Sequence, residues 1–332
     1  MPLPFVLAGA ALVAGGFGVK KGIDAASDYS DAKDANRLAQ NIYDEASRDL
    51  QEHREQARNS MESLGALKFK LYKESLIPFI ETFSKIKEID FDDKSLVNKE
   101  LPQFSSETLK DMEEDAPKLR SLVEGGITAL GSGALAGLAA YGGVGAMGAA
   151  STGTAIGALS GVAATNATLA WLGGGSLAAG GYGMAGGMAV LGGVVAGPVL
   201  AVGGMMLASK AAAAKEKARE SVETARLARS EMAQASVATD GIRLRFEEIA
   251  VVLKHLDEHF QPLLNSLQEL VNRDDNYQNY SMDERKFVFS SASMAKVLKN
   301  IMESQVINEE GTLTEESRSA VDEGQEALKK AI

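Results

Sequence analysis

Residues 242–270 read IRLRFEEIAVVLKHLDEHFQPLLNSLQEL, and their apolar side chains recur with the period of a helix seam. Ile242, Phe246, Ile249, Leu253, Leu256, Phe260, Leu263, Leu267 and Leu270 follow one another at alternating steps of four and three. A spacing of that kind, kept over about four heptads, belongs to a coiled coil or to the core-facing stripe of a helical bundle. Both stay open from the spacing alone, with Pro262 inside the stretch leaning toward the bundle.

Upstream, Ala211–Ala214 and KEKARESVETARLARSEM lead into this seam without a turn signal, so residues 210–272 read as one long helix. Downstream, Asn272–Tyr280 reads as a loop. Two shorter helices are expected after it, at about Asp283–Ser304 and Glu315–Lys330, the second with a capping box running from Thr312 to Glu315. A second charged arm lies near the amino terminus. There Ala35, Ala39, Ile42, Ala46, Leu50, His53, Ala57, Met61, Leu64 and Leu71 keep a helical period, with charged residues between them. The helix is expected to run to about residue 89, with a kink or interruption at Pro78. His53 falls on the apolar stripe and is expected to be a packed core histidine. The stretch FDDKSLVNKELPQFSSETLKD then reads as a linker, with Ser105 or Ser106 followed by Glu107 as a capping signal.

Between the arms the chain changes character. From Gly125 to Ser209 there is no Asp, Glu, Lys, Arg or His, although the whole chain carries 34 Lys and Arg, 45 Asp and Glu and 3 His. This block also holds 25 of the 34 glycines. A globular domain keeps charged residues on its outer helix faces, and this block has none to place there. Glycine at such density disfavours a helix in water by about 1 kcal/mol per residue relative to alanine. In lipid, unpaired backbone groups are costly enough to enforce the helix, and small residues let helices approach closely. Gly145, Ala149, Gly153, Gly157 and Gly161 fall four apart in one register, a glycine zipper. The block, about 85 residues long, has room for two to four crossings of roughly 20 residues each. Gly173-Gly174-Gly175 supplies a turn, flanked by Trp171 and Tyr182 as expected interfacial anchors.

The first 19 residues are apolar, with Lys20 and Lys21 after the run rather than before it. That order suits an uncleaved anchor or an interfacial segment more than a secretory signal. The organisation is therefore an apolar segment at 1–19, a charged helical arm at 20–124, the Gly/Ala-rich membrane block at 125–209, a long seam helix at 210–272 and C-terminal helices at 273–332. The expected fold class is all-α, an elongated helical bundle or coiled-coil pair of arms flanking a membrane-inserting helical block.

The chemistry the sequence lacks narrows its function. A net charge of −11 leaves no basic face for nucleic acid. With no cysteine, disulfides, thiol catalysis and thiolate metal sites are excluded. Two GxGxxG matches, Gly143/Gly145/Gly148 and Gly181/Gly183/Gly186, have no acidic residue about twenty positions on, as a dinucleotide site requires. The string His255-Leu256-Asp257-Glu258-His259 matches an inverted zinc-peptidase pattern. Its place in the seam puts His255 and His259 on a solvated flank without a third ligand, so no metal site, cofactor or enzyme is expected.

An apolar element between long amphipathic helices resembles the α-helical pore-forming proteins of the haemolysin E type. That resemblance implies a hidden hydrophobic element that inserts while the helical body oligomerises. The run NATLAWLGGGSLAAGG, residues 166–181, is similar to the Gly/Ala-rich membrane segment of interferon-induced small hydrophobic proteins. Neither likeness assigns a functional residue.

The reading that follows is a membrane-inserting helical protein that forms homo-oligomers, with pore formation open. Two alternatives stand beside it: a membrane scaffold or tether recruiting a protein partner through its arms, and a soluble homo-oligomer that buries the block. Lys210, Lys215, Lys217 and Arg219 after the block favour a cytoplasmic C-terminal arm. A secreted soluble form that later inserts stays open.

Overall fold

The computed structural model describes residues 19–91, 104–125, 135, 137–140, 211–308 and 312–331. The described residues are predominantly helical and contain no β-strand, only isolated bridges between Lys87 and Asn276 and between Ile307 and Leu313. Helix α1 spans Val19–Leu71, and a π-helical turn at Tyr72–Leu76 joins it to α2, Ile77–Phe83. Helix α3 covers Ser106–Gly125, α4 Ala211–Arg273, α5 Met282–Glu303 and α6 Glu315–Ala331, with a short 3-10 turn at Tyr277–Asn279 before α5. The apolar segment expected at 1–19 lies outside the described residues apart from its last residue, as does most of the membrane block. No described helix is long and apolar enough to cross a membrane.

Contacts divide the chain into two compact units, the first taking its described residues from 19–45 and 211–230, the second from 46–140 and 231–331. Helices α1 and α4 contribute to both. The first unit is held by small side chains: Ala39, Val222 and Ala225 form a buried cluster, with Ala35 and Ile42 against it. Alanine at a helix seam allows close backbone approach but removes little apolar area from water.

The second unit holds the main core. Ile242, Phe246, Ile249, Leu253, Leu256, Phe260, Leu267 and Leu270 of α4 are all buried in it. Leu263 is only partly buried, and Leu264 takes the enclosed place beside it. A helix of 3.6 residues per turn drifts against a strict seven-residue repeat, so a one-residue shift of this kind is the expected relief. From the other arm Met61, Leu64, Leu71, Tyr72, Leu76, Phe79 and Phe83 enter the same core. Phe79 is its aromatic centre, with ring centroids 5.3 Å from Phe83, 6.2 Å from Phe104 and 5.9 Å from Phe260.

Pro78 does interrupt the first arm, and the surroundings absorb the fault. A proline has no amide to give the carbonyl four residues earlier. That carbonyl belongs to Glu74, and it accepts instead from Gln261 Nε2 of α4 at 3.4 Å. The turn widens to π form just before the proline, with the Ile77 amide reaching back to Tyr72 O. The helix stops at Phe83 rather than near 89, because the following loop pairs with the end of α4. Lys87 N donates to Asp275 O at 2.8 Å and Tyr277 N to Lys87 O at 3.1 Å. Glu88 takes a left-handed conformation, φ 56°, at that junction.

The helix starts follow local capping. Ser105 Oγ accepts from Thr108 N, making Ser105 the N-cap of α3. The region expected to be linker thus becomes helical from Ser106 onward. Ser281 and Glu284 form a reciprocal capping box on α5. Glu284 also pairs with Arg273; that bond, then the Ser281 cap, holds its carboxyl down to about 2. At α6 the cap differs from the expected Thr312–Glu315 box. Thr314 Oγ1 accepts from Ser317 N at 3.1 Å, while Thr312 bonds back to Asn308. The Ile307–Leu313 bridge turns the backbone there, so that Thr314 and not Thr312 meets the open helix amides.

Candidate functional site

Beyond Gly125, the last residue of α3, the described residues of the uncharged block are 135 and 137–140; they are helical, and Leu138, Ala139 and Ala140 are buried in the core of the second unit. The end of the block nearest α3 is thus packed among the seam residues of the charged arms. Two residues of α1, one turn apart, make that packing possible.

Gly65 supplies the space. A methyl carbon placed on it would lie 2.0 Å from Leu135 O and 2.9 Å from Leu135 Cα. No side chain fits there unless one backbone moves. Lys68 supplies the bonds. It is fully buried, and its Nζ donates to Leu138 O at 3.3 Å and to Ala139 O at 3.1 Å. The next carbonyl, of Ala140, accepts from Val306 N at 2.7 Å and from Ile307 N at 3.3 Å. Three successive carbonyls are therefore satisfied by α1 and by the strand-like turn after α5, where a buried carbonyl left open would carry a desolvation cost.

A buried ammonium is costly, and the site reflects this. Burial draws Lys68 down from 10.5 to about 7, against the opposing pull of Glu303. Glu303 of α5 is itself pushed up by burial, though Lys299, bonded to it one turn back, works the other way. Tyr72, one turn beyond Lys68, is raised well above 10, first by burial and then by the charges of Glu303 and Asp115. Its hydroxyl is buried without a hydrogen-bond partner. Asp115 of α3 pairs with Lys118 at 3.1 Å.

His53 is half-buried rather than packed in the core, with Nδ1 3.0 Å from Asp240 Oδ1 of α4. His53 first, and then Arg243, hold the Asp240 carboxyl below its ordinary value. The pair links the two arms on the rim of the seam. His255 and His259 are exposed on α4. Their neighbour Asp257 is used structurally, accepting from Ser75 Oγ and from Gln261 Nε2. No cluster of three metal-ligating side chains occurs among the described residues. Gly145, Ala149, Gly153, Gly157, Gly161, Trp171 and Tyr182 lie outside the described residues.

Gly65 and Lys68 are absent from the residues singled out by periodicity, yet the sequence carried a signal for one of them. The apolar stripe of the first arm steps from Leu64 to Leu71 with nothing between, and Lys68 occupies the missing place. A lysine in register with a core stripe is either at an edge or buried with a purpose. No protein-family model, curated protein or solved structure matches this chain.

Proposed function

We propose that this chain inserts into membranes, with the block at 125–209 as the insertion element and the helical arms as the body that carries and assembles it. The observation behind this reading is the uncharged, glycine-dense stretch joined at both ends to charged helices. Those helices enclose their own apolar seam among the described residues, and the block is the longest stretch of the sequence with no charged residue to turn toward water. In lipid the zipper at Gly145, Ala149, Gly153, Gly157 and Gly161 brings helices into close contact, within one chain or between copies. Trp171 and Tyr182 sit at the interface. Where those contacts join copies of the chain, homo-oligomers form, with or without a pore. The chain acts without enzymatic chemistry, metal or cofactor, from the cytoplasmic side.

One observation favours a scaffold that recruits a protein partner instead of a pore. Val237, Leu244 and Val251 are exposed on α4 at intervals of seven residues, away from the buried seam. Gly241, between them, has open space above it. A second helix laid along that face would meet one apolar side chain per heptad.

Flotation of the full-length protein with liposomes, followed by carbonate extraction and release of an entrapped dye, tests both readings. Carbonate-resistant binding with dye release supports the pore. Resistant binding without release supports the scaffold. Protein that stays in the soluble fraction refutes membrane insertion and points to a soluble assembly that buries the block.

A further inference from the structure

Three places hold chemistry that membrane insertion itself leaves unused: the exposed Val237/Leu244/Val251 face, the groove between α2 and α3, and the buried Lys68. In the groove Arg120 pairs with Glu81 at 2.9 Å and Ser84 with Glu113 at 2.6 Å, so its polar groups answer one another. The apolar face has nothing seated on it. Lys68 is different, because its bonds join one arm to the block itself.

We infer that Gly65 and Lys68 form an autoinhibitory latch: they hold residues 137–140 of the uncharged block in the core of the second unit, and release of those residues licenses the block to enter lipid. This inference rests on the membrane reading above. The latch has two parts of distinct physical character. Gly65 is a steric seat, since any side chain there overlaps Leu135 backbone. Lys68 is a polar clasp on Leu138 O and Ala139 O, completed by the Val306 and Ile307 amides on Ala140 O.

A structural lysine would sit more cheaply at the surface, where its charge stays hydrated. Inside an apolar core its donors need partners, and they find two in Leu138 O and Ala139 O. Here it satisfies carbonyls whose removal from the core would otherwise be favoured by exposure to water or another donor. The clasp is also the part of the contact that responds to conditions. The charged and titratable groups around it are Glu303 and Lys299 on α5, Asp115 on α3 and Tyr72 on its own chain segment. Burial draws its ammonium down to about 7, against the pull of Glu303, so the charge held in the core answers to the groups around it.

The test uses full-length protein and two readouts. Amide hydrogen exchange at Val306 and Ile307 reports docking without lipid, because both amides donate to Ala140 O. The rate of association with phosphatidylcholine–phosphatidylserine vesicles reports insertion. Gly65→Ala is expected to raise exchange at those two amides by at least about tenfold, the signature of local opening, while the Arg285 amide at the start of α5 keeps its protection. Vesicle association is expected to accelerate by a similar factor. Lys68→Met, which keeps side-chain length, is the second variant and guards against a fold lost to the Gly65 overlap. Its exchange at Val306 and Ile307 is expected to rise at pH 9, where the lost bonds are not offset by relief of a buried charge. Unchanged exchange at Val306 and Ile307 in both variants overturns the latch, and so does raised exchange with an unchanged vesicle rate. If neither wild type nor variant associates with vesicles, the membrane reading fails instead, and the exchange data alone decide whether the docking contact exists.

Discussion

Replacing Lys68 with methionine is predicted to change the pH dependence of stability more than stability itself. In the folded chain the Lys68 ammonium is held at about 7 by burial, against an ordinary value of 10.5. The folded state therefore binds fewer protons than the unfolded state between those two values, and stability rises with pH across the window and levels off below 7. The drop from 10.5 to about 7 corresponds to about 5 kcal/mol over the whole window. Methionine has no proton to lose, so the variant lacks that slope. It also withdraws the donor from two buried carbonyls, at a cost of about 1–3 kcal/mol each. Near pH 10 the variant is expected to be the less stable protein, because the lost bonds dominate. At pH 7 the relief of the buried charge offsets that loss, and the variant equals or exceeds wild type. Glu303, raised by burial, contributes the opposite slope from 4.5 upward, and removing Lys68, whose charge pulls it down, raises it further in the variant. Urea unfolding followed by circular dichroism at pH 7, 8, 9 and 10 reads the difference directly. Parallel stability curves for the two proteins would refute the burial of a titrating lysine.

The core yields further expectations. Phe79→Ala empties the aromatic centre shared with Phe83, Phe104 and Phe260 and should cost about 3–5 kcal/mol in urea unfolding, since those rings cannot all collapse into the space. Gly324→Leu should cost about 1–3 kcal/mol by overpacking, because a methyl carbon at Gly324 already lies 2.5 Å from Ile301 Cδ1 and 2.6 Å from Val252 Cγ1. Ser281→Ala removes the α5 cap and should cost about 1 kcal/mol by the same measurement. In the block, Gly153→Leu combined with Gly157→Leu should reduce oligomer size in crosslinking from liposomes; an unchanged ladder rejects the zipper as a contact.

The predominantly helical character of the described residues was legible because seam periodicity survives in both arms. The α4 seam residues and the α1 stripe both carry their burial in their spacing, since a helix face that must leave water has to repeat every three or four residues. Pro78, and a cap at Ser105 or Ser106, were readable as local backbone rules with few exceptions; the bond from Thr108 N decides for Ser105. The capping residue of α6 was not, because the choice between Thr312 and Thr314 depends on a bridge between Ile307 and Leu313 that forms only in the folded chain. Helix α1 and α2 were read as too long, because the pairing of Lys87 with Asp275 and Tyr277 joins positions far apart in sequence. The latch was the least legible feature. Composition marks 125–209 as a single block, yet 137–140 packs with the charged arms, and no pattern within the block separates those residues from their neighbours. Gly65 likewise looks like any helix glycine until Leu135 is placed against it. His53 sat in the correct stripe, but only the position of Asp240 shows it to be a rim contact.

The chain has one tryptophan, Trp171, and it lies inside the block, so its fluorescence is an intrinsic probe of the insertion element. The most direct test of membrane insertion is its emission, excited selectively over tyrosine, with and without vesicles that carry brominated acyl chains. Insertion predicts a blue shift on vesicle addition and strong quenching by bromines placed near the interface. Emission that neither shifts nor quenches while the protein floats with the vesicles would contradict the account, because the chain would then bind lipid through its arms and keep the block out of the bilayer.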